Sequence, residues 1–432
     1  MENEIKVDLP LRTEKRYIIL TPEKFIEKIS PYVERKKFSD NEYIQTIYFN
    51  NEEHAMPFEL SIKARQYLPQ ISHSPSLDNN AKYFLDLKQG KGESKQKIRL
   101  ETTLGEATKI VNKEYSFSET PLRPYVAIQY LRRHYIPKNT KDIRLTFDTG
   151  LKYFFFPPHQ KEAIEIGKED GYARLEIKEG NPDERFDNLI KEILIDSNAS
   201  PIISKKFRAY NFLGLYIAKT SGRPFNKELK GYEIESKLVT DSEEVFQKIK
   251  KFFKEKNHDF VLPAHFPYTF ESATINRYYR DGEGLFKAMF NGNKAEIVRK
   301  DAVEIVKDSL GLNCIVKRKE VKGEILPIDS KSILLAKLQS ELYRMRKAFW
   351  VDNLKTGRTY HISLDCCIGP PGILYETEVE YTGRYIGSGN TKQDEAEKEI
   401  IEDIAKITKI LIEKFPELKP SELTKQKWLG VR

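Results

Sequence analysis

The chain has 432 residues and a formal net charge of +8. This length predicts two to three domains with a sizeable buried core. The positive charge is spread along the chain, which excludes a polybasic tail. An anionic binding partner is compatible with this charge. There is neither a signal peptide nor an apolar run long enough to span a membrane. We therefore expect a soluble chain with no membrane span.

The cysteine content bears on the cellular setting. Cys314, Cys366 and Cys367 give no disulfide framework and lack the paired spacing of a zinc site. A reducing, cytoplasmic location is favoured, and core packing is the better explanation for the adjacent pair.

Both halves of the chain open with the same pattern of a strand followed by an amphipathic helix. The strand EKRYIIL (14–20) leads through a Thr-Pro pair into the helical segment EKFIEKISPYV (23–33). The strand YEIESKLVT (232–240) leads into SEEVFQKIKKFFKEK (242–256), which carries one apolar stripe. The repeated pattern predicts two domains of related architecture.

A stretch rich in Gly, Pro and polar residues, TSGRPFNKELKG (220–231), is the expected linker. The predicted domains are therefore 1–224 and 225–432. Residues 69–82 and 156–171 are predicted as long surface loops, and 391–415 as a closing helix.

Seven blocks of the first half place Lys, Arg or Glu at every second position. They are ELSIKAR (59–65), YFLDLKQ (83–89), KQKIRLE (95–101), IQYLRR (128–133), DIRLTFD (142–148), ARLEIKE (173–179) and SKKFRAY (204–210). In a strand this period of two places cations on one face and apolar residues on the other. If the strands curl into a closed sheet with the charged face inward, a basic tunnel for a polyanion results.

The second half carries paired carboxylates on its first and last strands. Glu233, Glu235 and Lys237 share one face of the first strand, and Glu376, Glu378 and Glu380 share one face of the last. Carboxylates brought together in this way form an all-oxygen site suited to Mg²⁺ or Mn²⁺. Solvated charge on edge strands is the alternative. The strands between them supply further cations, namely Lys317, Lys319, Arg344, Arg346 and Arg358.

These residues resemble the CYTH superfamily of triphosphate tunnel metalloenzymes. Its hallmark Glu-x-Glu-x-Lys is found at Glu233, Glu235 and Lys237, and its closing pair of glutamates at Glu378 and Glu380. The first half, roughly 10–215, resembles the VTC-type polyphosphate polymerase branch. The positions that carry this second resemblance are Arg12, Glu14, Arg16, Tyr17, Lys63, Arg65, Lys88, Tyr130, Arg132, Arg144, Glu176, Lys178, Ser204 and Lys205.

The resemblance implies an α+β fold of two tandem antiparallel eight-stranded barrels, or triphosphate tunnels, with external helices. It implies three sets of site residues. The catalytic set is Lys63, Arg65, Lys88, Arg132, Arg144, Lys205 and Lys237. The other phosphate-binding residues are Arg16, Lys97, Arg99, Lys178, Lys317, Lys319, Arg344, Arg346 and Arg358. The metal ligands are Glu14, Glu176, Glu233, Glu235, Glu378 and Glu380.

Three classes of function stay open on the sequence. The first, which the resemblance favours, is a metal-dependent phosphoanhydride enzyme: a polyphosphate polymerase using a nucleoside triphosphate, or an inorganic or nucleoside triphosphatase. The second is a nucleotidyl cyclase or an RNA 5′-triphosphatase. The third is a non-catalytic sensor of polyphosphate or RNA. Binding to RNA usually needs aromatic platforms among the basic positions, whereas the basic strands here alternate mainly with aliphatic residues.

Overall fold

The computed structural model describes residues 6–7, 13–37, 42–71, 74–89, 96–140, 142–180, 183–220, 229, 231–255, 259–263, 269–282, 284–300, 304–306, 308–330, 333, 335–384 and 393–431. The chain divides into two compact units, Met1–Leu213 and Gly214–Arg432, and each is described by itself. The division lies inside a helix, a short way before the boundary predicted at residue 225.

The described residues of the first unit form twelve strands and several helices. Its strands are β1 (Lys6–Val7), β2 (Thr13–Ile19), β3 (Val33–Lys36), β4 (Tyr43–Asn50), β5 (Ser61–Leu68), β6 (Lys82–Gln89), β7 (Gln96–Thr103), β8 (Arg123–Pro137), β9 (Ile143–Phe155), β10 (Ile164–Glu169), β11 (Ala173–Glu179) and β12 (Ala199–Pro201). Its helices are α1 (Pro22–Ile29), a 3₁₀ turn (Ser30–Tyr32), α2 (Leu104–Glu114), α3 (Glu184–Asp196) and α4 (Lys205–Thr220), the last of which crosses the division between the units.

The first sheet is antiparallel and strongly curled. Its order is β1-β7-β6-β5-β4-β8-β9-β11-β2-β12, with β10 beside β9 and β3 beside β8. Five strands separate β6 from β2 in this order, yet Lys88 Nζ on β6 lies 3.1 Å from Glu14 Oε2 on β2. The sheet therefore bends until its two halves face each other. The described strands at the two ends of the order do not pair, so the prediction of a closed eight-stranded barrel is wrong for this unit.

The register of the strands places the alternating charges of the sequence on the concave face. Arg16 pairs with Glu176, Glu176 with Thr146, and Lys178 with Arg144. Directly opposed residues of an antiparallel pair point to the same face. The opposite face carries the aliphatic residues, which form two clusters, one beneath α2 and one beneath α1 and α3.

Two predictions of secondary structure in the first unit are wrong. SKKFRAY (204–210) is the start of helix α4 and not a strand, because Phe207, Tyr210 and Leu213 recur at helical spacing and are buried. The hydroxyl of Ser204 caps that helix by accepting from Phe207 N at 3.4 Å. The loop predicted at 156–171 contains β10, which pairs with β9.

A buried charge network fixes α4 against the sheet. Arg174 donates to both carboxylate oxygens of Glu169 at 2.6 and 2.8 Å, and Arg208 Nε on α4 donates to Glu169 Oε1 at 2.8 Å. Arg174 also donates to the carbonyl of Ile203 at 2.9 Å. Bidentate contacts of this kind fix an orientation as well as a distance. The N-terminal turn of α4 is therefore held beside the concave face.

Eleven strands and three helices of the second unit lie in the part of the chain that the structure describes. Its elements are β13 (Tyr232–Thr240), α5 (Val245–Lys254), β14 (Phe260–Val261), β15 (Phe270–Asp281), β16 (Gly284–Asn291), β17 (Lys294–Lys300), β18 (Glu304–Ile305), β19 (Ile315–Pro327), β20 (Lys337–Asn353), β21 (Arg358–Gly369), β22 (Gly372–Arg384), α6 (Gln393–Lys414), β23 (Lys419–Pro420) and α7 (Lys425–Trp428). The sequence did not decide between a strand and a helix for residues 299–308. In the structure, residues 299–300 end β17 and residues 304–305 form β18. Residues 301–303 and 307 lie outside the described residues. Thr391, the expected cap of α6, also lies outside them.

The second sheet is antiparallel, with the order β18-β19-β17-β16-β15-β20-β21-β22-β13-β23 and β14 beside β20. β13 pairs with β22 on one side and also with β19 on the other. Eight strands are thereby linked in a cycle of pairings, within a sheet of eleven strands. The prediction of two closed eight-stranded barrels is therefore confirmed only in part: the structure has two antiparallel sheets of twelve and eleven described strands with a few helices, and the first sheet does not close.

All three cysteines are buried, and burial raises the pKa of the Cys367 thiol to about 12. In the described part of the chain, no helix is both long enough and apolar enough to cross a membrane.

Replacing Glu169 with Gln should destabilise the protein, because two buried guanidinium groups would lose their counter-charge; breaking a buried pair costs about 3–5 kcal/mol. Burial opposes ionisation, but Arg174 and Arg208 hold the pKa of Glu169 at about 2, against 4.5 ordinarily. The stabilisation is therefore complete above pH 4.5 and is lost as the pH falls towards 2.

Urea unfolding of E169Q and the parent chain, at neutral pH and near pH 2, measures both effects. E192Q, at an exposed position of α3, is the matched control and should leave stability unchanged. An E169Q variant as stable as E192Q at neutral pH would contradict the network.

Candidate functional site

Asp148 organises two of the cations on the concave face of the first unit. Arg132 on β8 donates from Nε and Nη2 to the two oxygens of Asp148 at 2.7 and 2.8 Å. Lys205, at the start of α4, donates to Asp148 Oδ2 at 2.5 Å. Burial opposes ionisation, but Arg132 and Lys205 hold the pKa of Asp148 at about 2. Both cations also lie about 5 Å above the ring of Tyr130, so their positions are fixed before any ligand arrives.

Asp86 on β6 also organises two cations of the concave face. Arg99 on β7 donates to Asp86 Oδ1 and Oδ2 at 2.6 and 3.1 Å, and Arg65 Nη2 lies 3.5 Å from Oδ2. Asp86 is fully buried, whereas the side chain of Arg99 is 36% exposed. The carboxylate therefore holds guanidinium groups from two neighbouring strands.

Glu14 and Glu176, the predicted metal ligands of the first unit, lie on either side of Arg16. Glu14 contacts Arg16 and Lys88, while Glu176 Oε1 lies 2.8 Å from Lys178 Nζ and its Oε2 lies 3.7 Å from Arg16 Nε. Burial and mutual repulsion would raise the pKa of Glu14, but Arg16, Lys178 and Lys88 bring it below its ordinary value. Both carboxylates are thus ionised among cations.

Lys63 lies among other cations on this face. Its ammonium group is 6.0 Å from the centroid of the Tyr48 ring. Burial, followed by the charge of Arg65, lowers the pKa of Lys63 well below its ordinary value. Arg144 pairs in register with Lys178 and lowers the pKa of His134 in addition to the effects of burial and Arg132. The side chain of Lys97 lies outside the described residues.

The concave face of the first unit therefore carries more positive than negative charge. Its described cations include Arg16, Lys63, Arg65, Lys88, Arg99, Arg132, Arg144, Lys178 and Lys205, and the carboxylates that contact them include Glu14, Asp86, Asp148 and Glu176. Arg174, which pairs with Asp148, and Glu101, which pairs with Phe84, lie on the same face. Like charges held this close repel one another strongly in a partly dehydrated site. An anionic ligand would relieve that repulsion.

The second unit encloses a cavity of about 210 Å³. Charged groups of both signs line it, together with Tyr278, Met289, Val298, Thr424 and Gln426. The acids are Glu233, Glu235, Glu296, Glu378 and Glu380, and the cations are Lys237, Lys287, Arg318, Arg344, Arg346 and Lys425.

One acidic cluster of this cavity has the composition of a metal site. Glu233, Glu235 and Glu380 each offer a carboxylate oxygen, and the three oxygens lie within 4.8 Å of one another. Arg318 contacts Glu233 at 2.5 Å and Glu235 at 2.6 Å. Burial and the charges of Glu233 and Glu235 raise the pKa of Glu380 to about 8. The cluster is therefore short of positive charge.

A second acidic cluster, Asp365, Glu376 and Glu378, is neutralised by the protein's own cations. Lys237 Nζ lies 2.8 Å from Glu378 and 3.2 Å from Glu376, and Lys425 on α7 lies 3.0 Å from Asp365. Burial opposes ionisation, yet Lys237 and Lys425 hold the pKa of Glu378 well below its ordinary value. The four predicted metal ligands of this unit therefore lie in two different clusters. Glu233, Glu235 and Glu380 form the first, whereas Glu378 belongs to the second, whose carboxylates are already paired with ammonium groups.

The predicted phosphate-binding residues of the second unit are partly misplaced. Arg344 and Arg346 line the cavity and contact Asp365 at 3.8 and 2.5 Å. The prediction is wrong for Lys317, Lys319 and Arg358, which lie elsewhere. Lys317 Nζ and Arg358 Nη1 each lie 2.6 Å from a glutamate of α6, Glu397 and Glu399 respectively, and Lys319 is exposed.

The register explains the error on β19. Glu233 pairs with Arg318, whereas Lys317 and Lys319 pair with Ile234 and Tyr232 on the other face. In the run Lys-Arg-Lys, all three residues are cations, so composition gives no indication of which one points inward. Arg318 is the residue that lines the cavity.

Sequence reasoning missed the residues that position the cations. Asp86 and Asp148 lie inside the alternating blocks and share their charged face, so the period of two could have identified them. Lys425 lies on a four-residue helix far from any alternating block, and no sequence signal marks it.

Residues 11–211 match the model of the VTC domain family. We refer to the first unit as the VTC domain after this match. This match confirms the resemblance predicted for residues 10–215, and it ends before the second unit begins. No curated protein sequence gives a significant match to this chain.

Solved structures give only distant similarities. An adenylate cyclase-like protein from Vibrio parahaemolyticus aligns over 48% of this chain and 99% of its own, with 12% identity and a TM-score of 0.31. The S. pombe Pct1 RNA triphosphatase in complex with the Spt5 CTD aligns over 50% of this chain and 94% of its own, with 13% identity and a TM-score of 0.26. Scores this low carry no argument about this chain.

Replacing Lys63 with Met should stabilise the ligand-free protein, because it removes one member of a repelling, desolvated cluster. Relief of about 1 kcal/mol would raise Tm by about 2–4 °C. Melting curves with and without tripolyphosphate measure the effect. The rise in Tm that tripolyphosphate gives the parent chain should shrink in K63M.

K191M, at an exposed lysine of α3, is the control, and its melting curves should match those of the parent chain. A K63M variant that keeps the full ligand-induced shift would show that Lys63 does not contact the ligand.

Proposed function

We propose that the VTC domain binds a triphosphate or polyphosphate chain on its concave face and catalyses phosphoryl transfer at a phosphoanhydride bond. The observation that carries this proposal is the surplus of fixed cations over carboxylates on that face. Phosphoryl transfer depends mainly on positioning and on neutralising charge, and it requires no nucleophilic side chain. The family match supports the same class of substrate.

The arginines and lysines would share the work of binding. Arg132 and Arg99, each held by a carboxylate, present planar donor pairs that match two phosphate oxygens. Lys63, Lys88 and Lys205 supply point charges between them. Because Asp86 and Asp148 fix the guanidinium groups in advance, little side-chain entropy is lost when the phosphates bind.

A divalent metal, Mg²⁺ or Mn²⁺, would complete the site. Mg²⁺ commonly binds through one or two carboxylates together with substrate phosphates, and Glu176 and Glu14 fit that role in the first unit. The metal would neutralise charge on the transferred phosphoryl group. The two carboxylates would meanwhile orient the attacking phosphate or water.

The polymerase and the triphosphatase differ in what attacks the terminal phosphorus, a phosphate chain or water. We favour the polymerase, because a cationic face that runs across several strands offers contacts to more phosphates than a single triphosphate carries. The polymerase assignment would be wrong if the protein proved to be a cyclase, an RNA 5′-triphosphatase or a non-catalytic sensor.

Incubation of the protein with ATP, GTP or tripolyphosphate and Mg²⁺ or Mn²⁺, followed by ³¹P NMR, tests the function. A growing signal from internal phosphates indicates a polymerase, whereas orthophosphate together with the nucleoside diphosphate or pyrophosphate, without longer chains, indicates a hydrolase. Full turnover in excess EDTA would contradict metal dependence.

Arg132→Lys should lower the rate about ten- to a hundred-fold, because lysine cannot copy a bidentate contact worth about 1.5–3 kcal/mol. Arg185→Lys, at an exposed position of α3, is the matched control. Equal rates for R132K and R185K would exclude Arg132 from the site.

We further propose that Glu233, Glu235 and Glu380 of the second unit bind a divalent cation beside Arg344 and Arg346, which together would form a second site for a phosphate group or a regulatory one. Carboxylate oxygens are the ligands that Mg²⁺ and Mn²⁺ prefer. The raised pKa of Glu380 supports the assignment, since a cation among these oxygens would favour ionisation.

Binding of Mn²⁺ to the second unit should therefore tighten as the pH rises towards 8, because the metal must displace the Glu380 proton. Below that pH the affinity should fall by up to about tenfold per pH unit. Titration of free Mn²⁺ by electron paramagnetic resonance measures it. Glu380→Gln should bind more weakly and with a flatter pH profile, whereas E413Q, at an exposed position of α6, should behave as the parent chain. An E380Q variant with the parent's affinity and pH profile would refute the site.

A further inference from the structure

The ammonium group of Lys425 contacts every member of the second acidic cluster. Its Nζ lies 3.0 Å from an oxygen of Asp365 and 2.8 Å from an oxygen of Glu378, and it also contacts Glu376. The carboxylate oxygens of these three residues lie within 4.8 Å of one another. One cation held by converging carboxylates from two paired strands is the arrangement typical of a bound metal ion. In the second unit a lysine side chain takes this position.

The charges of this cluster already balance. Besides Lys425, two further cations contact its three carboxylates: Lys237 Nζ lies 2.8 Å from Glu378, and Arg346 Nε lies 2.5 Å from Asp365. A divalent cation added to this cluster would create a surplus of positive charge. Removal of Lys425 would instead leave buried carboxylates with too little of it, and buried carboxylates require a counter-charge.

The two acidic clusters of the second unit adjoin. Lys237 Nζ lies 3.1 Å from Glu235 of the first cluster and 3.2 Å from Glu376 of the second. Glu378 and Glu380 are two residues apart on β22 and therefore share a face. Many phosphoryl-transfer sites hold phosphate oxygens between two cations about 3.5–4 Å apart. The second unit has the layout for two such cations, and a lysine supplies one of them.

The segment that carries Lys425 is fixed to the sheet by contacts of its own. Trp428 and Leu429 pack in a cluster with the buried side chains of Leu342 and Cys367. Just before α7, the short strand β23 pairs with β13. The ammonium group is therefore held in place by packing and by backbone pairing as well as by the carboxylates. Unlike a free ion, it cannot diffuse away.

Glu376 retains an unused carboxylate oxygen. The residue is fully buried, and no described donor lies within hydrogen-bonding distance of its Oε2. An ammonium group donates three hydrogen bonds, and the contacts of Lys425 with three carboxylates account for them. A divalent cation such as Mn²⁺ takes about six oxygen ligands. The cluster therefore offers more oxygens than a lysine can use, as a metal site would.

We propose that Lys425 is a built-in replacement for the second of two divalent cations, so that the second unit binds one metal ion where its two acidic clusters would otherwise bind two. The inference rests on the metal site proposed for Glu233, Glu235 and Glu380, and it deepens that proposal. A phosphate group bound there would lie between one divalent cation and one ammonium group. Because Lys425 is part of the chain, its charge at the second cluster does not depend on the concentration of free metal.

Titration of free Mn²⁺ by electron paramagnetic resonance, without any phosphate ligand, tests the proposal. Lys425→Met should bind one more Mn²⁺ per chain than the parent, and the double variant K425M/E376Q should lose that extra ion. Lys425→Arg keeps the positive charge and should bind as many ions as the parent. Lys355→Met is the matched control, because it removes a lysine from an exposed ion pair with Asp259 and should leave the number of ions unchanged.

A K425M variant that folds but binds no additional ion would overturn the proposal, as would an extra ion that survives in K425M/E376Q. Melting curves give an independent readout. Without metal, K425M should melt about 6–20 °C below the parent chain, since a buried ion pair is broken. Mn²⁺ at a hundredfold excess over Kd should restore about 5–10 °C of that loss. A lysine with a purely structural role predicts equal responses of K425M and K355M to Mn²⁺.

If K425M does not fold even with Mn²⁺, Glu376→Gln in an otherwise unchanged chain decides. It should bind as many ions as the parent, because the second cluster takes up no metal while Lys425 is present; loss of one ion would refute the proposal. Glu380→Gln separates this result from the metal site of the first cluster. Equal numbers of ions in E380Q and the parent would remove that site, while the difference between K425M and the parent would still test Lys425.

Discussion

The first unit depends on holding many like charges together on one concave face. Repulsion among cations a few ångströms apart costs free energy in a partly dehydrated site. Two features of the fold offset that cost. The backbone hydrogen bonds and the apolar clusters on the opposite face fix the strands, while Asp86 and Asp148 bind the guanidinium groups nearest to them. The surplus that remains is free to act on an anionic ligand.

The two units share alternating charged strands but differ in the balance between cations and carboxylates. On the concave face of the VTC domain, cations outnumber carboxylates, which is the charge balance that the proposed binding of phosphate groups requires. In the second unit, the ammonium groups of Lys237 and Lys425 already form ion pairs with the carboxylates of Asp365, Glu376 and Glu378. Of the two acidic clusters found among the described residues, the one formed by Glu233, Glu235 and Glu380 is less fully neutralised, and the proposed divalent cation would supply the missing positive charge.

Helices complete both sites from outside the sheets. Lys205 reaches Asp148 because Glu169 fixes Arg208 one turn along α4. Lys425 reaches Asp365 from α7, the last helix of the chain. In each case a cation arrives from an element that does not pair with the strands. This allows a site to gain a positive group without changing the register of the sheet.

The sequence by itself identified seven strands of the first unit and which of their side chains share a face; these strands are β2, β5, β6, β7, β8, β9 and β11. Period-two alternation fixes that face wherever a strand forms, so the face on which Lys63, Arg65 and Arg132 lie follows from the sequence, while their role in binding stays a prediction. It failed where a block is too short to distinguish a strand from a helix, as at 204–210. It failed again where every residue of a run is cationic, as at 317–319.

The tertiary structure alone decided how far each sheet curls, which carboxylate faces which cation, and which lysine occupies which cluster. Curling depends on the twist accumulated over many strands, and sheet closure depends on pairings between residues far apart in sequence. The contact of Lys88 with Glu14 and that of Lys425 with Asp365 join such distant segments. No local pattern encodes them, because their geometry is set only when the whole sheet has formed.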